Sequence, residues 1–256
     1  MRRSLDVATS LLASSAALWR GTDSFRPARR QPEQLLRLYE FEGCPYCRLV
    51  RETLTELDLD ALIQPCPKGG TRFRPTAKLL GGKTQFPFLH DPNTGARLYE
   101  SQEIADYLAR TYDGHARANH GLARALNLSG SMLASGIRPR GFRARPSQAP
   151  EQPLELYSFE SSPYSRLVRE VLCELELPYI LRNTGKGRWT DMGPPNFRNK
   201  LFKAPADTGR NRTALFERTG RVQLPYLIDP NADSGTGIEM FESAAIIDYL
   251  ERTYAA

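Results

Sequence analysis

The chain has 256 residues, enough for two compact domains of ordinary size, with 40% hydrophobic and 25% charged residues and no apolar run of the ~20 residues that a membrane-spanning helix needs. Its net charge of +6 is held unevenly: residues 1–32 carry +4 and residues 113–150 carry +5, which leaves −3 for the remainder. Basic excess therefore belongs to two connecting segments and not to a folded face with stacking aromatics, which excludes nucleic acid as a partner.

Residues 1–34 form a leader, a Ser/Ala/Leu stretch over Ser10–Leu18 followed by an Arg/Pro-rich segment. Leu11, Leu12, Leu18 and Trp19 among basic residues fit an amphipathic helix able to make peripheral contact with an anionic membrane surface. The segment reads as a mature structural leader, and its Arg- and Ser-rich, acid-poor composition leaves a cleaved organelle transit peptide as the alternative. A similar element recurs in mid-chain, where a transit peptide has no place.

Residues 35–112 open with an alternating strand (Leu36, Leu38, Phe41) that runs into Cys44-Pro-Tyr-Cys47. A helix follows, with Val50, Leu54 and Leu57 on its buried face, and then a strand at Ala61-Leu-Ile63. A connector leads to Gln85-Phe-Pro-Phe-Leu89, the turn Asp91-Pro-Asn-Thr-Gly95, a strand at Arg97-Leu-Tyr99 and a helix from about Ser101 to Tyr112. Two of the four cysteines fall in one C-x-x-C, the spacing of a redox pair in a reducing compartment such as the cytoplasm. The three histidines have no ligand spacing to the cysteines, so no metal is expected.

A basic linker at 113–152 with its own Ser/Ala/Leu stretch precedes residues 153–256, which repeat the first unit. Leu38–Glu52 aligns without gaps on Leu156–Glu170, Gln85–Leu89 on Gln223–Leu227, Asp91–Asn93 on Asp229–Asn231, and Tyr99–Ser101 on Phe241–Ser243. The second copy reads Ser162-Pro-Tyr-Ser165 where the first has its cysteines. Its connector carries about 20 extra residues, roughly Trp189 to Thr208, which read as a surface loop.

These residues resemble the glutathione transferase N-terminal domain and the glutaredoxins, present twice in tandem. The resemblance implies an α/β fold of two thioredoxin-like domains, each β-α-β-(connector)-β-β-α, with glutathione as co-substrate. It implies Cys44 as nucleophile and Cys47 as resolving thiol, with Tyr46, Lys68, Phe86, cis-Pro87, Glu100 and Ser101 around glutathione. The corresponding residues of the second unit are Ser162, Tyr164, Lys186, Leu224, Pro225, Glu242 and Ser243. The implied activity is glutathione-dependent thiol–disulfide exchange on a disulfide substrate. Two alternatives stand beside it: a transferase-like enzyme acting on electrophiles, or a non-catalytic module that binds glutathione or a protein. The long helical domain of ordinary transferases is missing, so an apolar substrate pocket has to come from the cleft between units or from the insertion. One departure concerns reactivity: Glu42-Gly43 precedes the motif where glutaredoxins carry a Lys, and a carboxylate there opposes thiolate formation. Cys66 lacks a cysteine counterpart and is a spectator or regulatory thiol, and Cys173 is expected to be buried packing.

Overall fold

Apolar residues at period two in Leu36–Glu40 (β1) and at helical period in Pro45–Glu56 (α2) place Leu36, Leu38, Val50, Leu54 and Leu57 in one wholly buried cluster. The computed structural model describes residues 2–115, 122–191, 209–232 and 237–256. After a first helix, Arg2–Ala16 (α1), the chain runs β1, α2, Ala61–Pro65 (β2), Arg74–Gly81 (α3), Phe88–Asp91 (β3), Ala96–Leu98 (β4) and Ser101–Leu108 (α4). A π-helical turn over Ala109–Asp113 prolongs α4, so the helix expected to reach Tyr112 changes geometry at Ala109. Leu122–Ile137 (α5) leads into the second half: Leu154–Ser158 (β5), Pro163–Glu174 (α6), Tyr179–Asn183 (β6), a 3₁₀ turn at Trp189–Asp191, Arg210–Thr219 (α7), Tyr226–Asp229 (β7), Ile238–Phe241 (β8) and Ser243–Tyr254 (α8).

Both connectors thus contain a helix, α3 and α7, that the sequence pattern hides. Helix α3 has only eight residues and fully buries Ala77 alone, with Phe73 and Leu80 partly buried beside it, so its apolar face is shorter than the window over which a helical period is read. Most of the insertion, residues 192–208, lies outside the described residues.

One eight-stranded sheet joins the halves in the order β4-β3-β1-β2-β6-β5-β7-β8. Within each half the first two strands are parallel and the last two antiparallel, as in a thioredoxin-like fold. The seam is the antiparallel pair β2·β6, with Ala61 opposite Leu181 and Ile63 opposite Tyr179. One core cluster runs across it, from Leu36 and Leu38 to Leu154, Leu156 and Tyr179.

The leaders cross the seam. α1 packs on α6 of the second half and α5 packs on α2 of the first, with α1 and α5 against each other. Ser10 Oγ donates to Pro163 O and Ser131 Oγ to Pro45 O, each at 2.7 Å. Gly21 and Gly141 follow these helices with φ of +70° each. A Cβ on Gly141 would lie 2.6 Å from Glu42 Cβ, and one on Gly21 2.8 Å from Glu160 Cβ, so both positions need glycine for conformation and for space. Beyond them Lys68 N donates to Phe142 O (2.7 Å) and Lys186 N to Thr22 O (2.9 Å). Each leader therefore docks on the other half.

Candidate active site

The strand-to-helix turn at β1–α2 places Cys44 at the N-cap of α2, with φ −85° and ψ 120° and Pro45 at the first helical position. Its Sγ accepts the Cys47 amide at 3.3 Å. The Cys47 side chain also hydrogen-bonds to Cys44, and together with the Cys47 and Tyr46 amides it holds the Cys44 thiol below its ordinary pKa, against burial and the nearby Glu40. Cys47, wholly buried, is pushed well above its ordinary value by burial and by the Cys44 sulfur. Two chemically unequal thiols result, one disposed to ionise and one to stay protonated.

The carboxylate that opposes Cys44 is Glu40, at the end of β1, and not Glu42. Burial pushes Glu40 up to about 7, although its carboxylate accepts from Arg51 Nη1. Glu42 instead receives Arg169 of α6, at 3.0 and 3.1 Å, and Arg51 at 3.2 Å. By symmetry Glu160 receives Arg51 at 2.8 Å, Arg169 at 3.1 Å and Arg48 at 3.5 Å. Burial disfavours the Glu160 charge, yet these three guanidiniums hold its carboxyl well below the usual range. The obstacle expected from Glu42 is therefore neutralised from the other half of the chain, 127 residues away.

Opposite Cys44, the β1·β3 register sets Tyr39 against Phe88, which brings Phe86 and Pro87 beside the end of β1. Phe86–Pro87 and Leu224–Pro225 are cis. Phe86 meets Phe41 edge-on at 6.4 Å, and Phe41 meets Phe142 of the leader at 5.6 Å. Gln85 Nε2 donates to Glu100 Oε1 at 2.5 Å, tying the proline segment to the start of α4. Gln223 makes the same bond to Glu242 before α8. Glu100 and Glu242 have φ of +61° and +71°, uncommon for residues other than glycine, and neither side chain caps its helix. The first-turn amides of α4 and α8, beginning at the buried Ser101 and Ser243, are thereby left without a side-chain cap, a geometry suited to a carboxylate.

The structure thus collects Cys44, Cys47, Phe86, Pro87, Glu100 and Ser101 at one end of the first half's sheet. Tyr46 and Tyr164, second residues of α2 and α6, are exposed. The Lys68 side chain is exposed as well, and its backbone is engaged by the leader. In the second half Ser162 caps α6 as Cys44 caps α2, and Ser162 Oγ lies 2.8 Å from Ser165 Oγ. Lys186, Leu224, Pro225, Glu242 and Ser243 repeat the placement of their counterparts. Cys66 and Cys173 are buried with raised thiol pKa values, in both cases chiefly through burial.

Three further residues, Gln85, Arg74 and Phe142, border the site. Gln85 was visible as a repeated residue, and its recurrence as Gln223 was the available signal. Arg74, in the unforeseen helix α3, donates to Pro67 O at 2.7 Å and lies 5.0 Å from the Phe86 ring centroid, a cation beside the proline segment. Phe142 belongs to the leader, which nothing in the sequence ties to this site. A cavity of about 470 Å³ lies between α1, α6, α8 and the second leader, with Leu167, Val171, Ala244 and Ile247 among charged side chains such as Arg138, Glu170 and Glu251, and it reaches Ser243. Among the described residues no group of three or more His, Cys, Asp or Glu side chains is placed to hold a metal ion.

Comparison with curated proteins and with solved structures gave no match. The family model described as glutathione S-transferase, N-terminal domain, matches residues 38–116 and again 156–256. Those two segments cover both halves of the sheet with their cis-prolines, and the chain belongs to the glutathione S-transferase N-terminal domain family, with the thioredoxin-like fold and the link to glutathione that this membership implies.

Proposed function

We propose that the protein is a glutathione-dependent thiol–disulfide oxidoreductase built from two tandem copies, in which the first copy does the chemistry and the second is a redox-inactive binding or structural partner. The unequal pair Cys44/Cys47 carries this reading: the capped sulfur is the more acidic one, and the sulfur one turn on is held as a thiol. The Cys44 thiolate attacks one sulfur of a disulfide, forms a mixed disulfide and expels the other sulfur as a thiolate. Cys47 then loses its proton and attacks Cys44 Sγ, leaving a Cys44–Cys47 disulfide and releasing the second thiolate. Two glutathione molecules reduce that disulfide and leave as oxidised glutathione.

The uncapped α4 N-terminus and Glu100 suit the carboxylate and ammonium of the γ-glutamyl end, and Pro87 suits an extended peptide beside Cys44. Arg74, 5.0 Å from the Phe86 ring, is a cation beside the proline segment that suits the glycyl carboxylate. Cys44 is only 4% exposed, which favours small or extended substrates over bulky folded ones. The test is reduction of a glutathione–peptide mixed disulfide: Cys44→Ser abolishes turnover, and Cys47→Ser accumulates enzyme-bound glutathione. Wild-type turnover by Cys44→Ser rejects the proposal.

The 470 Å³ cavity favours a second reading, a transferase-like reaction in the second half, because it adjoins Ser243 and includes apolar side chains. Conjugation of a small electrophile that persists in Cys44→Ser and falls in Ser162→Ala supports it, and no conjugation by the wild type dismisses it.

A further inference from the structure

The helix pair α1/α5 inverts the usual arrangement of an amphipathic helix. Its inward positions are small: Ser10, Ala13, Ser14 and Ala17 of the first leader are buried, as are Ser131 and Ala134 of α5. Its large apolar side chains point outward, with Leu5 61%, Leu12 59%, Leu126 62% and Leu133 57% exposed, and with Leu11, Leu122, Met132 and Ile137 also uncovered. A surface helix of a globular protein does the reverse. No charged residue interrupts Val7–Trp19 or Ala125–Ile137.

Two further observations mark this face. Leu18 and Trp19 have φ of +53° and +55°, a conformation that bulky residues seldom adopt, and Leu18 is 81% exposed there. The exposed charges at the ends of the two helices are basic, although Arg3 and Arg140 also border the cavity that holds Glu170, Glu174, Asp248 and Glu251. Arg3, Arg124 and Arg140 are exposed at the ends of the apolar area, while Asp6, the single acid within α1 and α5, is ion-paired at 3.2 Å to both Arg138 and Arg140. Arg138 N–H reaching Asp6 and Thr9, and Gly130 lying against Ala16, show that the helices run antiparallel, so the arginines flank the area at both ends.

We propose that the outward face of α1/α5 docks on an anionic lipid bilayer. Leu5, Leu12, Leu18, Leu126 and Leu133 enter the boundary between headgroups and acyl chains, and Trp19 lies at headgroup depth. The arginines meet lipid phosphates and carboxylates. No helix among the described residues is long and apolar enough to cross a membrane, so the pair lies on the bilayer rather than through it. A second copy stacked on the same face would bring arginine rims together, whereas an anionic surface complements them. Because Ser131 binds Pro45 O and Ser10 binds Pro163 O, the starts of α2 and α6 sit directly beneath the pair. Docking therefore holds Cys44 about one helix diameter, ~10 Å, from the lipid surface.

The full chain is floated with vesicles of phosphatidylcholine alone and with vesicles containing 30% phosphatidylserine (roughly the charge of an anionic leaflet). Binding is expected to the anionic vesicles only, to weaken at high salt, and to bring a blue shift of Trp19 emission that is read in a Trp189→Phe background. Leu12→Glu with Leu126→Glu and Leu133→Glu, all at exposed positions, lowers the partition constant at least about tenfold while the near-ultraviolet dichroism stays unchanged. Arg3→Glu with Arg124→Glu lowers it on anionic vesicles. Failure to bind, or binding that none of these variants reduces, overturns the proposal. Self-association abolished by the leucine variants, without vesicle binding, overturns it in favour of a second copy.

Discussion

Replacing Cys47 by Ala tests the asymmetry on which the proposed chemistry rests. The largest influence lowering the Cys44 thiol pKa is the hydrogen bond from the Cys47 side chain. A hydrogen bond to a charged acceptor is worth about 1.5–3 kcal/mol, and about 1.4 kcal/mol corresponds to one pH unit. Losing this donor should raise the Cys44 midpoint, while the Cys47 and Tyr46 amides remain in place to limit the change. Cys47→Ser keeps a donor and should fall between. Ser165 occupies the equivalent buried position of the second half, so the framework accepts a smaller side chain there. The assay is the rate of iodoacetamide alkylation against pH, read by mass spectrometry on the peptide that contains Cys44. Cys66 and Cys173 are buried with raised pKa values and contribute little below pH 8. If the midpoints of wild type and Cys47→Ala coincide, or the variant's is lower, the hydrogen bond is not what activates Cys44.

Gly141→Ala places a Cβ 2.6 Å from Glu42 Cβ at φ +70° and should destabilise the fold by about 2–4 kcal/mol in urea unfolding, whereas Gly136→Ala, with nothing near its Cβ, should not. A loss under about 0.5 kcal/mol for Gly141→Ala would contradict the docking of the second leader against Glu42. Glu40→Gln removes the negative charge nearest the active-site pair and should lower the Cys44 midpoint in the same alkylation assay. It should also alter the stability profile with pH. Folded Glu40 has a pKa of about 7 against an ordinary 4.5, so the folded protein keeps a proton that the unfolded chain releases. That contribution is complete below about pH 4.5 and is lost as pH rises through 7, so stability in wild type carries a downward slope in this window, which Glu40→Gln lessens while Glu170 and Asp58, raised to about 7 and about 6, retain the rest. An unchanged slope in urea titrations between pH 4.5 and 7.5 would place the ionisation elsewhere.

Much of each half was legible in the sequence, because local patterns set it. Val50, Leu54 and Leu57 read as one helical face and are fully buried, and the repeated Gln-x-Pro and Glu-Ser pairs mark the segments that converge on Cys44. What escaped is what depends on partners distant in sequence. Arg48, Arg51 and Glu52 look like a solvated face of α2, yet all three are buried, because Glu160, in the turn before α6, meets Arg48 and Arg51 across the seam and Arg20 of the leader meets Glu52. Glu42 looked like an electrostatic obstacle for the same reason: its two arginines cannot be assigned to it from local spacing. The basic leaders suggested an external partner, but several of their arginines serve internal carboxylates. Arg138 binds Glu170, Arg145 binds Glu174 and Glu251, and Arg20 binds Glu52. Helix α3 is hard to read because it spans eight residues, and Phe73, Ala77 and Leu80 make an apolar face too short to stand out from the connector.

Why a copy without thiols is kept follows from the seam. An isolated first half would expose β2 as an edge strand and leave Arg51 and Glu42 with only part of their ion pairs. Pairing β2 with β6 closes that edge, and the outer edges of the joined sheet are short, three residues in β4 and four in β8. Breaking a buried ion pair costs about 3–5 kcal/mol, because the remaining charge stays buried without its partner. The cross pairs Arg51–Glu160 and Arg169–Glu42 therefore make each half depend on the other. This dependence constrains Arg169 and Glu160 of the second half but not its cysteine positions: Ser162 still caps α6 and still hydrogen-bonds to Ser165. Serine at both positions is thus compatible with the helix cap and the cross-seam ion pairs of the second half, and it removes only the thiols on which the proposed chemistry depends.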